Sequence, residues 1–499
     1  MASSSAVRLF FHGGIYTLSR LANVALGVVL LPLYARHLGT DGFGTISLMA
    51  TVGGFLGLVI IQGLPGAWFR LRFDEADEAG IRKFETTIVW YLIASGLGIV
   101  GLVTLLGTPL SRWVTPGIPY LPLGLLTASA AFANVFPALY ERKLQVEERP
   151  VAFGIFNLGR TLLQAALVVV FVVALDRGAR GAIEATTLAA GINMIVSLIM
   201  IHPGSWRLVS KPRLARSLGY GIPLVPHSLA GLINDLIDRI LVNSMLGLSA
   251  VGVYSMGYRI ASLGQVVATS LNQAFGPIFV RILNDADAAR RDGDARKADA
   301  ELRRAGRLGL LTVAGAGCLV VALTAVAREV LMVLATPAFQ DSWKVVGVVG
   351  GGVIAWACYF PFSQAILYNP ARVRWLMATT GLAALVNIGA NLVLLPKLGI
   401  MGAAWATLVS DVVLAIVAYL FARKSTFVPY ERGRWLGALA SLGAGLAGLW
   451  VLDSMVDTIA LRLAAKMIWA ALTALLALRI SKVSWGAVQQ LASRKGSRS

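Results

Sequence analysis

The chain has 499 residues, of which 57% are hydrophobic and only 14% charged, yet its formal net charge is +19. Ordinary soluble proteins carry roughly 25% charged residues, disordered chains lack this apolar content, and a basic nucleic-acid binder would be rich in charge rather than poor in it. Those classes are excluded, and the expected solvent is lipid.

A helix needs about 20 mainly apolar residues to cross a hydrocarbon core. Fourteen runs of that kind are found, at 14–36, 44–68, 86–107, 118–140, 151–175, 181–202, 219–244, 251–280, 308–327, 345–368, 373–396, 400–422, 435–452 and 458–480. The short alternating segments of a membrane β-barrel are absent, so the predicted class is an all-α integral membrane protein with about 14 transmembrane helices. Residues 1–13 carry no small-residue cleavage pattern, and the first run is read as a retained span rather than a signal peptide.

The connectors predict an orientation. One alternate set, the two ends included and Arg374 counted with its neighbouring loop, holds 31 of the 44 basic and 15 of the 25 acidic residues; the other set holds 8 and 7. Basic loops stay on the cytoplasmic side. The expectation is a multi-pass protein of the bacterial inner membrane with both termini cytoplasmic. The long connector 281–307 reads as a solvated helical extension, the glycines of 347–353 as a loosening of the tenth span, and the amphipathic stretch 327–343 as a segment lying at the outer interface.

Two motifs recur. GARGAIEAT at 178–186 matches GIMGAAWAT at 399–407, and LGTDGFGTIS at 38–47 matches LGLSAVGVYS at 246–255. The offsets of 221 and 208 differ by about the extra length of the 281–307 connector over 69–85. The reading is a parallel repeat of two six-span lobes, 1–205 and 213–423, followed by two further spans at 434–482 and a basic cytoplasmic tail at 483–499. Repeated bundles of this sort place a substrate site between the halves near the bilayer midplane.

Ionisable groups inside a span are costly and by default functional candidates. The basic ones are Arg20, Arg160, Arg239, Arg259 and Lys466, and the acids are Asp235, Asp238 and Asp411. Asn157, Arg160 and Gln164 lie at i, i+3 and i+7 on one face of the fifth span. Arg160 has no acid close by in its own span. Asp235 and Arg239, four apart on the seventh span, can pair along the helix and serve structure alone, and Lys466 can meet Asp453 or Asp457. Asn234, Asn243 and Asn272 add polar groups to the seventh and eighth spans. Basic residues exceed acids by two, which suits an anionic passenger, because guanidinium groups match phosphate oxygens bidentately. The acids Asp235, Asp238 and Asp411 are candidates for ion coupling. The isolated Cys318 and Cys358, four scattered histidines and the lack of a P-loop predict no metal and no cofactor.

Three stretches carry a resemblance: LPLYARHLGTDGFGTISL (31–48), GIPLVPHSLAGLINDLIDRILVNSMLGLSAVGVYSMGYRI (221–260) and LPKLGIMGAAWATLVSDVV (395–413). They resemble the polysaccharide-transport branch of the multidrug/oligosaccharidyl-lipid/polysaccharide exporter superfamily, the Wzx-type O-antigen and exopolysaccharide flippases. The resemblance implies two lobes forming a V, a cationic central cavity and rocker-switch alternating access. It also implies movement of an undecaprenyl-diphosphate-linked oligosaccharide from the cytoplasmic to the periplasmic leaflet, for O-antigen, exopolysaccharide or capsule assembly. By motif, Asp238 and Arg239 take the acidic and basic places of the seventh span and Arg20 a basic place of the first. The implied partners are the polyprenyl-diphosphate-linked glycan, membrane lipids, a polysaccharide polymerase and a chain-length regulator. The cationic set for the passenger is then Arg20, Arg160, Arg239 and Arg259. A lipid II flippase is the alternative, and a cation-coupled multidrug antiporter a weaker one, since it would want an acidic cavity. A membrane enzyme would need a large outer loop, which is missing, so the chain reads as a transporter.

Overall fold

The structure, a computed structural model, describes residues 27–481, and among these every regular element is helical. The long helices are α1 (Leu31–Ile61), α2 (Glu78–Leu105), α3 (Leu125–Val146), α4 (Pro150–Val168), α5 (Gly178–Ile201), α6 (Val225–Leu246), α7 (Leu248–Arg291), α8 (Ala295–Leu334), α9 (Ser342–Leu367), α10 (Arg374–Leu398), α11 (Ile400–Ser425), α12 (Arg432–Met455) and α13 (Ile459–Ser481). Twelve are long and apolar enough to cross a membrane. The exception is α6, which carries Asp235, Asp238 and Arg239 within 22 residues. Expected spans two to fourteen thus each have a helix, and the first, 14–36, lies mostly outside the described residues.

Several local expectations need correction. The second span does not run unbroken from 44 to 68. Its helix stops at Ile61, where Gln62 and Gly63 take left-handed backbone angles (φ 48° and 69°), and a short helix, Leu64–Leu71, follows. The turn brings Gly63 so close to the Gly221 carbonyl that a Cβ there would stand 2.3 Å from the oxygen. Gly347–Gly352 do not loosen the tenth span either, since α9 is continuous. Instead, Gly352 lies against α11, where a Cβ would stand 2.9 Å from the Asp411 Oδ2 and 3.5 Å from the Leu408 Cα. The 327–343 stretch is not wholly interfacial: α8 continues to Leu334, and Phe339 is fully buried edge-on against Phe43. The 281–307 connector is helical as expected, α7 and α8 meeting at Gly293, with Ala286, Ala289 and Ala298 on a buried inner face.

The helices pack into two compact units. The first comprises the chain up to Val253 together with Leu334–Phe339. Its core joins Ile60, Leu64, Trp68, Phe84, Ile88, Leu92, Phe136 and Leu139. The second comprises Tyr254–Val333 and the chain from Gln340 onward. Its core joins α8, α9, α11 and α12 through residues such as Val313, Val320, Val353, Ala357, Ala418 and Leu442. The division falls inside α7, later than the boundary of the sequence repeat, because α6 packs against α1. The last two helices, α12 and α13, belong to the second unit.

Both repeated motifs have matching backbone geometry. Gly39, at which α1 is interrupted by a kink (φ 62°, ψ −170°), corresponds to Gly247 with φ 86°, and Gly178 and Gly399 have 55° and 58°. These are left-handed values that only glycine adopts without strain. Gly44 and Gly252, also matched by the repeat, face each other's strand of chain reciprocally. A Cβ on Gly44 would lie 2.1 Å from the Leu248 carbonyl oxygen, and one on Gly252 would lie 2.1 Å from that of Thr40.

Candidate functional site

A cavity of about 180 Å³ lies in the first unit among α3, α4 and α5. Asn134 comes from α3; Asn157, Arg160, Thr161 and Gln164 come from α4; Thr186 and Asn193 come from α5 with Ala189 and Ala190. The i, i+3, i+7 spacing puts the α4 residues on one face, and Thr186, Ala189, Ala190 and Asn193 repeat that pattern on α5. Small residues allow the approach, Ala130, Ala133 and Ala190 forming a buried cluster beside the cavity. Arg160 stands ten residues past Pro150, about 15 Å along the helix, or half of a ~30 Å hydrocarbon layer.

The sequence showed no acid for Arg160, but the fold supplies one. Its Nη1 donates to Oε1 of Glu141, at the far end of α3, and its guanidinium lies 5.7 Å from the centre of the Phe156 ring. Arg160 Nε is buried with no hydrogen-bond partner among the described residues. The Nδ2 groups of Asn134 and Asn157 donate to the Ala130 and Phe153 carbonyls, at 2.9 and 3.2 Å, which leaves their amide oxygens as acceptors. Asn193 is 92% buried, being 8% exposed, and its amide, like that of Gln164, makes no hydrogen bond among the described residues. Among the described lining groups and their partners, one cation meets one anion, so the cavity is polar and formally neutral.

The other expected site residues do not line this cavity. Arg20 lies outside the described residues, and of Asn234 and Asp235 only the backbone is described, so the expected Asp235–Arg239 pair falls outside as well. Asp238 is buried, Arg239 half-buried, and Asn243 buried with its Nδ2 donating to the Pro116 carbonyl at 2.9 Å. Asp238 and Arg239 both have interaction partners. In the second unit, Arg259 is exposed on α7, Asn272 accepts from Gln364 Nε2 at 3.5 Å, and Asp411 is buried on α11. The residues that sequence reasoning passed over are Glu141, Asn134, Thr161, Thr186 and Asn193. The helical spacing of Thr186 and Asn193 was a usable signal, whereas Glu141 was masked by the charged connector it begins.

A second group of charges is buried in the second unit. Lys466, fully buried, reaches Asp453 at 3.0 Å and Glu329 at 2.7 Å. Arg462 reaches Glu329 at 3.0 Å and Asp453 at 3.6 Å, and Arg328 reaches Asp453 at 3.6 Å while lying over Trp343. The cluster thus gathers three cations and two acids and fastens α12 and α13 to the end of α8. Outside the spans, Arg213 holds Glu75 in a two-point bond of 2.9 and 2.6 Å, and that partner pushes the Arg213 pKa above its ordinary value.

Comparison with known proteins adds a family. A family model described as "Polysaccharide biosynthesis protein" matches residues 12–283. The chain is 22% identical over 449 residues to the succinoglycan biosynthesis transport protein ExoT of Rhizobium meliloti, covering 87% of this chain and 84% of that one. Among solved structures it resembles the lipid II flippase MurJ in an inward closed conformation, with a TM-score of 0.72 and 14% identity over 93% of this chain and 98% of that one. It also resembles an inward-facing multidrug resistance MATE transporter of the MOP superfamily, with a TM-score of 0.64 and 16% identity over 81% and 94% of the two chains. At these identities the structural likeness establishes the fold.

Proposed function

This chain belongs to the polysaccharide biosynthesis protein family and is a multi-pass membrane transporter, and we propose that it is a flippase carrying a polyprenyl-diphosphate-linked oligosaccharide from the cytoplasmic to the outer leaflet of a bacterial inner membrane. The observation that carries this reading is the family match over 12–283, extended along 87% of the chain by a relative named for succinoglycan biosynthesis transport. Arg160 and Lys466 are matched by Glu141, Asp453 and Glu329, so the support for an anionic passenger rests on Arg20, Arg239 and Arg259. In this reading Arg20, Arg239 and Arg259 meet the diphosphate, whose charge then need not be desolvated unpaired. The membrane potential, worth about 2.3 kcal/mol per charge per 100 mV, is available to drive the transfer, with Asp235, Asp238 and Asp411 as candidates to carry a coupling proton.

Complementation of a flippase-null strain tests the proposal. The unaltered chain restores surface polysaccharide, and Arg239→Ala and Arg259→Ala each reduce it. If both variants complement fully, the cationic contacts are wrong. The lipid-linked intermediate that accumulates in a deletion strain names the passenger. A peptidoglycan precursor there would replace this reading with a lipid II flippase, and drug sensitivity with no accumulated intermediate would replace it with an antiporter.

A further inference from the structure

We propose that the cavity among α3, α4 and α5 is a subsite for one uncharged sugar ring of the passenger. The proposal rests on the flippase reading for the source of that ring, but the chemistry of the cavity argues it separately. An anion is disfavoured, because Glu141 already neutralises Arg160. A metal cation is disfavoured, because the guanidinium of Arg160 stands in the lining. What remains is a neutral surface of amides and hydroxyls: Asn134, Asn157, Gln164 and Asn193, with Thr161 and Thr186.

Sugar hydroxyls donate and accept at once, and the lining offers both. The Asn134 and Asn157 amide oxygens accept, their nitrogens being engaged by backbone carbonyls. The Asn193 and Gln164 amides, both in the lining, have no hydrogen bond among the described residues and so offer donors as well as acceptors. Buried polar groups are normally satisfied, so a set of unused donors and acceptors around one space points to a ligand that uses them. The 180 Å³ space admits one pyranose ring and not two. It would otherwise hold about six waters at roughly 30 Å³ each, which is the outcome the test must separate.

The test uses the full-length protein in detergent-free nanodiscs and saturation-transfer NMR with the methyl α-glycosides of glucose, galactose, mannose and N-acetylglucosamine. At least one glycoside is expected to bind. Asn193→Leu and Gln164→Leu, each confirmed as folded by an unchanged elution profile, are expected to weaken binding about tenfold, the loss for one good hydrogen bond in a buried site. Absence of binding by all four glycosides, or binding unchanged in both variants, overturns the proposal. A parallel vesicle assay with a fluorescent polyprenyl-diphosphate glycolipid separates the two readings. A wild-type chain that binds glycosides but moves no glycolipid sinks the flippase reading and leaves the subsite standing. One that moves the glycolipid with no glycoside binding does the reverse.

Discussion

Asp453→Asn is expected to destabilise the second unit more than Lys466→Met, although both break the same 3.0 Å contact. Asp453 faces three cations: Lys466 at 3.0 Å, Arg328 at 3.6 Å and Arg462 at 3.6 Å. Its side chain is 4% exposed, so water gives it little competition. Removing its charge leaves Glu329 alone against three cations, a cluster charge of +2 where it had been +1. Removing the Lys466 charge leaves two cations and two acids, a neutral set, and methionine fills the volume of the lysine stem. Breaking a buried pair costs about 3–5 kcal/mol when it strands a charge. Asp453→Asn belongs at the top of that range and Lys466→Met at or below the bottom. Combining the two substitutions returns the cluster to +1 and should cost less than the sum of the singles, since contacting residues are not additive. Fluorescence-detected gel filtration of heated samples reads the midpoints. A Lys466→Met midpoint as low as that of Asp453→Asn, or lower, would refute the charge-counting argument.

Three further outcomes follow from the geometry. Gly252→Ala and Gly44→Ala each place a methyl group about 2 Å from a backbone carbonyl, an overlap that only a backbone shift relieves. Each should therefore cost about 1–3 kcal/mol as overpacking, seen as a lower thermal midpoint. Glu141→Gln leaves the Arg160 guanidinium half-buried without its counter-charge. A loss of about 1–3 kcal/mol and slower glycolipid transfer in vesicles are expected, with the surface variant Lys424→Ala unchanged in both. Arg213→Ala removes a two-point pair whose arginine is 30% and whose glutamate is 12% exposed; a cost of about 1–3 kcal/mol, the range for a hydrogen bond to a charged group, is expected as a lower thermal midpoint, and it should shrink in high salt.

Much of the fold was legible because lipid imposes a strong pattern. Run length located thirteen helices, and the glycines matched by the repeated motifs turn out to sit at left-handed backbone angles. The face of α4 was legible too, since Asn157, Arg160 and Gln164 share one helical stripe. What stayed hidden depends on neighbours distant in the chain. Glu329 lies 137 residues before Lys466, and no periodicity links them. Glu141 reads as a solvated connector residue until α3 and α4 are packed side by side. The break at Gln62–Gly63 interrupts a run that is apolar on both sides, so hydropathy passes over it. Gly352 read as flexibility, whereas its lack of a side chain serves close packing against α11.

The reciprocal contact of Gly44 and Gly252 has a consequence for how such a chain can diverge. Each glycine excludes a side chain on account of backbone belonging to the other copy of the motif, so enlarging one residue has no remedy in shrinking its counterpart. Both are already the smallest residue there is. The seam therefore offers no compensating double change, unlike an ordinary core contact where a large and a small residue exchange places. That contact is thereby held to its present backbone spacing, whereas the residues lining the cavity among α3, α4 and α5 meet no such bar to substitution.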